Sequence, residues 1–200
     1  MSTTASQSMW STKAKNSDGG DFDRPSPGAY PAVLVGLVDL GTHEHVFNGE
    51  KKKSRKIFLA WELTGENDSN GQPFVLGQDY TWSLHKKAKL RPVIEGWIGK
   101  SFAENEEFDI ISLLGKACLL TVSEGTTSSG KSFSEIKGVG PLPRGMTAPP
   151  ANHELFAFNI ALLNSSLDDI PIPEWMPRNY GRLLKDDVKA SEEFGSLSPF

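Results

Sequence analysis

The chain of 200 residues has very little cysteine and no long apolar run. Its one cysteine, Cys118, has no intrachain disulfide partner and lies in an apolar segment, which is typical of a small core residue in a reducing compartment. No stretch of 18 apolar residues is present, so no membrane span is expected. The N-terminal "MSTTASQSMW" lacks the basic start and apolar core of a secretory signal. These features predict a cytoplasmic protein.

The sequence also lacks a recognisable catalytic or metal-binding pattern. His43 and His45 stand close together, but no cysteine or carboxylate spacing completes a metal site around them. No serine lies in a G-x-S-x-G elbow, and the acids of "ENEEFD" are typical of a solvated connector. We therefore expect no enzymatic activity and no cofactor.

One segment matches the phosphate-binding P-loop pattern. In "EGTTSSGKS" the matching residues are Gly125, Gly130, Lys131 and Ser132. A P-loop works because a strand leads through a glycine-rich turn into a helix, whose N-terminus faces the phosphates. The following "FSEIKGVGPLP" contains two glycines and two prolines, which disfavour a helix. The pattern instead predicts a hairpin loop between antiparallel strands, and an NTPase remains a rival hypothesis.

Strand signals dominate the middle of the chain. Alternation of Ile57, Leu59, Trp61 and Leu63 indicates a strand with one buried face. One helix signal interrupts the strands in "KLRPVIEGWIG", where apolar residues recur from Leu90 at helical spacing. The predicted strands cover 28–41, 54–63 and 73–85, with two hairpin strands after the helix.

This order predicts an all-β domain, a five-stranded antiparallel OB-fold barrel with one helix between strands 3 and 4 and flexible tails. In that fold, the loops joining strands 1–2 and 4–5 flank the nucleic-acid groove. The predicted organisation is a disordered leader over 1–25, the OB-fold over 26–145, a linker and docking segment around Trp175 over 146–185, and an acidic tail over 186–200.

Charge is distributed unevenly. Residues 26–151 contain 14 acidic and 14 basic residues, whereas 152–200 contain eight acids and four bases and so carry the whole net charge of -4. Single-stranded nucleic acid binds basic grooves that follow its phosphates and aromatic rings that stack on its bases. The basic clusters "KKKSRKIF" and "HKKAKLR" and the lysine of the P-loop-like hairpin fit this chemistry. We expect the loop joining strands 1 and 2 and the loop joining strands 4 and 5 to meet at one mouth of the barrel.

The candidate DNA-binding bases are Lys51, Lys52, Lys53, Arg55, Lys56, Lys86, Lys87, Lys89, Arg91 and Lys131. The candidate stacking residues are Phe47, Phe58, Phe133, Tyr80 and Trp82. Tyr80 and Trp82 share a parity with Leu76 and Leu84, which favours core packing for both. For the lysines, the alternative is a solvated loop that only keeps the protein soluble.

Three blocks of the chain resemble a family of phage-encoded single-stranded DNA-binding proteins. They are "PGAYPAVLVGLVDLGTHEHVFNGEKKKSRKIFLAWEL", "YTWSLHKKAKLRPVIEGWIGKSF" and "LLGKACLLTV…GKSFSEIKGVGPLPRG", within about residues 27–145, with a weaker echo at "IPEWMP". The resemblance implies an OB-fold, no enzymatic activity, and a role in viral replication or recombination inside a bacterial host cell.

The C-terminus resembles the acidic, Phe-ended tails of replicative single-stranded DNA-binding proteins. Such tails recruit partner proteins and compete with DNA for the basic groove. The matching residues are Asp186, Asp187, Glu192, Glu193, Pro199 and Phe200. The departure is "GSLSP", which interrupts the acidic run just before the end. The resemblance therefore implies replication or recombination proteins as partners.

Overall fold

The computed structural model describes residues 23–47, 49–159 and 173–177. Its elements in chain order are β1 (Gly28–Phe47), β2 (Glu50–Asn67), β3 (Pro73–Thr81), α1 (Leu90–Ile98), a 3-10 turn (Ile110–Leu113), β4 (Ala117–Thr126), β5 (Ser132–Gly140) and β6 (Phe156–Phe158). The domain is therefore mostly β, with its helix between the third and fourth strands, as predicted.

The strands form one sheet in the order β3-β2-β1-β4-β5, and every neighbouring pair in that order is antiparallel. The short β6 adds to β1 in parallel through Gly36 and Val38, and was not predicted. Within the described ranges, the end strands β3 and β5 share no strand pairing, so the sheet is not closed into a barrel there.

The hairpin joining β1 and β2 is much longer than the sequence predicted. We expected a polar loop after Gly41, but the two strands stay paired as far as Phe47 and Glu50. The missed signal is Asn48-Gly49, a dipeptide favoured in two-residue hairpin turns; Gly49 has a φ of +80°. We call the paired ends Gly41–Phe47 and Glu50–Lys56 the arm.

One face of the sheet carries the main core. Ile57, Leu59, Trp61 and Leu63 of β2 all point to this face and are fully buried. Helix α1 packs there through Leu90, Ile94 and Trp97, which are the residues that its helical spacing predicted to share a face. The Trp97 indole Nε1 donates to the Ala117 carbonyl at 2.9 Å and so ties the helix to β4.

The opposite face carries a second apolar cluster, which the sequence did not reveal. It contains Val38, Leu40, Phe58 and Ala60, and Met176 covers it. Phe156, Phe158 and Trp175 pack at its edge. Within the described residues, β6 (Phe156–Phe158), Trp175 and Met176 therefore lie against the outer face of the sheet.

The P-loop-like segment is the tip of the β4–β5 hairpin, as predicted. Thr126 pairs with Ser132, and the Thr127 N–H donates to the Lys131 carbonyl at 2.8 Å. Gly130 takes a φ of +80° at the turn. Ser132 begins a strand and not a helix, so the helix N-terminus that a P-loop requires does not follow.

Candidate nucleic-acid interface

Two basic segments that are distant in the sequence meet at one point in the structure. At the base of the arm, Lys56 pairs with Thr81 at the end of β3. The backbone N–H of Trp82 then donates to the Arg55 carbonyl at 2.8 Å. The chain continues from Trp82 into the lysine-rich residues before α1, so we call Trp82–Lys89 the basic segment.

The arm and the basic segment, which meet at Arg55 and Trp82, are both rich in basic residues, and Lys86 of the basic segment also lines a groove with Glu104, Glu106 and Glu107. The arm contains five basic and two acidic residues, and the basic segment contains three lysines and no acid. Their exposed lysines are Lys51, Lys52, Lys53, Lys86, Lys87 and Lys89. Each lysine near a phosphate releases a condensed counterion, so such a surface binds nucleic acid in a salt-dependent way.

Both acids of the arm face lysines. The Lys51 Nζ lies 2.9 Å from Glu44 Oε1, and this hydrogen bond raises the pKa of Lys51 and lowers the pKa of Glu44. The Lys52 Nζ lies 3.7 Å from Glu50 Oε2. Exposed pairs of this kind are worth little in water. They leave the excess of positive charge on the arm unchanged.

Arg91 and Lys56, two further predicted DNA-binding bases, also have partners within the domain. The Arg91 Nε donates to Glu95 Oε1 at 2.9 Å, and its other nitrogens donate to the carbonyls of Leu84 and Phe102. Only 13% of the Arg91 side chain is exposed, so it holds the chain around α1 and is poorly placed for a phosphate. Lys56 is also paired, with its Nζ 2.8 Å from Asp79 Oδ2.

Arg55 is held by a buried carboxylate. Its Nε lies 3.2 Å from Asp39 Oδ1 and its Nη2 lies 2.5 Å from Asp39 Oδ2, while only 1% of the Asp39 side chain is exposed. The hydrogen bond to Asp39 raises the pKa of Arg55. The guanidinium carbon lies 4.6 Å from the centre of the Trp82 ring, within cation–π range.

The five predicted stacking residues have different environments. Phe58, a predicted stacking residue, is instead fully buried in the second cluster, where Met176, Phe156 and Phe158 pack over its face of the sheet. Tyr80 is also buried, as its parity favoured; its hydroxyl donates to Gln78 Oε1 at 3.2 Å, and burial raises its pKa. Neither ring is open to a base.

Trp82 and Phe133 remain accessible. Trp82, the first residue of the basic segment, is partly exposed and packs against the main core, as its parity favoured, and 41% of Phe133 is exposed. The Phe133 ring lies over Gly125 on the neighbouring strand, where an added Cβ would meet its Cζ at 2.5 Å. The Phe47 side chain lies outside the described part of the structure.

Lys131 and Phe133 do not join the other candidates, which corrects the prediction of a single mouth. Phe133 lines a cavity of about 440 Å³ with Asp23 and with Ser69 of the turn between β2 and β3. The arm lies at the other end of β2, opposite Thr81. The arm and the turn between β2 and β3 lie at opposite ends of β2. The arm and the β4–β5 hairpin tip therefore lie at opposite ends of the gap between β3 and β5.

Two grooves follow the gap between β3 and β5, and they differ in charge. The groove at the Phe133 end, of about 550 Å³, is lined by Asp23, Asp79 and Glu135 with one base, Arg24. The groove nearer α1, of about 350 Å³, carries Lys89 and Lys137 with Glu135 as its one acid. The end near α1 is thus the more favourable one for a polyanion.

The predicted tail residues Asp186, Asp187, Glu192, Glu193, Pro199 and Phe200 lie outside the described residues. In the part of the chain that the structure describes, no group of three or more His, Cys, Asp or Glu side chains could hold a metal ion. No helix among those residues is long and apolar enough to cross a membrane.

No protein-family model matches the chain, and the search of curated proteins finds no significant match.

Proposed function

We propose that this protein binds single-stranded DNA without sequence preference and acts in the replication or recombination of a phage. The observation that carries the proposal is the contact between the arm and the basic segment through Lys56–Thr81 and the Trp82–Arg55 hydrogen bond. This contact joins the arm, which contains five basic residues, to the basic segment, which contains three lysines and the partly exposed Trp82. Phosphate contacts and one stacking ring are the two components that such binding requires.

The proposal includes an OB-fold. The strand order, the helix after the third strand, and end strands that share grooves without pairing are all compatible with a partly open five-stranded barrel. The resemblance of the sequence to phage single-stranded DNA-binding proteins supports the same reading. The acidic tail is the proposed contact for replication or recombination proteins, and the bacterial cytoplasm is the proposed location.

The main rival is an OB-fold module that binds only proteins, with lysines that merely solubilise the arm. The exposed pairs Lys51–Glu44 and Lys52–Glu50 would suit that reading. An NTPase is the second rival, and the strand that begins at Ser132 argues against it.

Fluorescence anisotropy with a labelled oligo-dT of about 30 nucleotides, against duplex of the same length, tests the proposal under increasing salt. We expect binding to the single strand only, and weaker binding as salt rises. Absence of binding to either DNA at low salt would favour the protein-binding module. ATP binding that is lost in Lys131→Ala would favour the NTPase.

A further inference from the structure

The side chains of Asp39, Arg55 and Trp82 form a connected series from the interior to the surface. Asp39 accepts from the Gly41 N–H at 3.0 Å and from two nitrogens of Arg55 at 3.2 and 2.5 Å. Its carboxylate therefore fixes both the bulged backbone of β1 at the base of the arm and the orientation of the guanidinium. A two-point contact between arginine and carboxylate is strong and directional.

The Arg55 guanidinium also contacts the Trp82 indole ring. The 4.6 Å separation between the Arg55 Cζ and the centre of the Trp82 ring is a close cation–π contact. The Trp82 backbone is fixed as well, by its hydrogen bond to the Arg55 carbonyl. Main chain and side chain of Arg55 thus both contact Trp82, whose partly exposed ring also packs against the main core.

We propose that Asp39 and Arg55 are positioning residues that hold the Trp82 ring ready to stack on a base. This inference rests on the proposed function and assigns Arg55 a role different from that of its neighbours Lys51, Lys52 and Lys53. An arginine whose fork is occupied by a buried carboxylate is unsuited to bind a phosphate in the same way. Arg55 acts through the ring, and the lysines act on the phosphates.

The test separates these roles by affinity and by salt dependence. Trp82→Leu weakens oligo-dT binding about ten-fold, the loss of one stacked base, and leaves the slope of log K against log salt unchanged. Arg55→Lys keeps the charge but loses the two-point contact, so it causes a similar loss with the same slope. The double variant Arg55→Lys/Trp82→Leu binds oligo-dT almost as well as Trp82→Leu alone, because both substitutions remove the same stacking interaction. Lys52→Ala and Lys53→Ala each reduce the slope by about one unit or less.

A measurement without DNA keeps this inference separate from the proposed function. Subtracting the fluorescence of a protein that carries Trp82→Leu from that of the same protein with Trp82 isolates the signal of Trp82. If Asp39 and Arg55 hold the ring, iodide quenches this signal more strongly in Arg55→Lys and in Asp39→Asn than in the wild type. Unchanged quenching would overturn the positioning role whether or not the protein binds DNA. With DNA, additive losses for Arg55→Lys and Trp82→Leu would overturn it. Unchanged affinity in Trp82→Leu would do the same. If the wild type fails to bind oligo-dT, the proposed function fails and stacking falls with it.

Discussion

The carboxylate of Glu62 accepts two hydrogen bonds from His153, one from its backbone N–H at 2.9 Å and one from its ring Nδ1 at 2.8 Å. The same carboxylate accepts from the Asn152 N–H at 2.8 Å, and only 1% of the Glu62 side chain is exposed. The His153 ring in turn lies 5.2 Å from the Trp175 ring. A buried acid of β2 thus fastens the later chain to the outer face of the sheet.

This relationship predicts a large loss of stability in Glu62→Ala. The substitution leaves two backbone N–H groups without their acceptor and lowers the free energy of unfolding by about 2–4 kcal/mol, as for other buried charged partners. Urea denaturation followed by tryptophan fluorescence measures it. The matched control is Glu66→Ala, an exposed position on the same strand. Equal effects of the two substitutions would show that the Glu62 contacts carry no stability.

Gly77 is predicted to be intolerant of any side chain. An added Cβ would overlap the ring of Phe58, lying 2.6 Å from its Cε1. Since that ring is fully buried, it has no room to move, and Gly77→Ala costs about 1–3 kcal/mol through overpacking. Gly138→Ala is the control, because its Cβ would meet nothing within 4 Å. Thermal denaturation of both variants measures the loss of stability. A Tm for Gly77→Ala equal to that of the wild type would contradict the close packing of Phe58 against Gly77.

Cys118 is predicted to be unreactive in the folded protein. Burial raises the pKa of its thiol to about 12, so almost no thiolate forms at pH 8. A thiol reagent such as DTNB should label it only after unfolding in guanidinium. Because the folded pKa lies above the unfolded one, this group's stabilisation is complete below about pH 8.5 and is lost as pH rises toward 12. Rapid labelling of native protein would contradict this account.

Deletion of residues 186–200 is expected to tighten DNA binding at low salt. The deleted stretch has four acids and one base, so it removes an anionic competitor for the basic surface, as the resemblance implies. Anisotropy at low and high salt measures the change, which should vanish at high salt because screening weakens both contacts. Weaker binding after the deletion would contradict competition.

The sequence predicted the elements that depend on local patterns. Helix α1 and the β4–β5 hairpin follow from helical spacing at Leu90 and from the glycines and prolines after Ser132. The prediction for Phe58 was wrong because its alternation with Ile57 and Leu59 showed only that it points away from the main core. Its burial depends on Met176, more than a hundred residues later; the sequence predicted a docking segment around Trp175 but not the face of the sheet that this segment contacts.

The candidate site was predictable in composition but not in arrangement. The two lysine-rich stretches are visible in the sequence, yet their contact depends on the register between β2 and β3. The ion pairs of Arg55 with Asp39 and of Arg91 with Glu95 also depend on tertiary geometry. A basic residue in a cluster is therefore weak evidence for DNA contact until its partners are known.

Charge reversal within the arm tests the central claim most directly. We would compare Lys51→Glu/Lys52→Glu/Lys53→Glu with a control triple of equal charge change, Lys100→Glu/Lys116→Glu/Arg144→Glu, outside the arm and the basic segment. Anisotropy with oligo-dT should show at least a hundred-fold loss for the arm triple and less than about a ten-fold loss for the control, because local phosphate contacts outweigh net charge. Equal losses in the two triples would contradict the assignment of the DNA-binding surface to the arm.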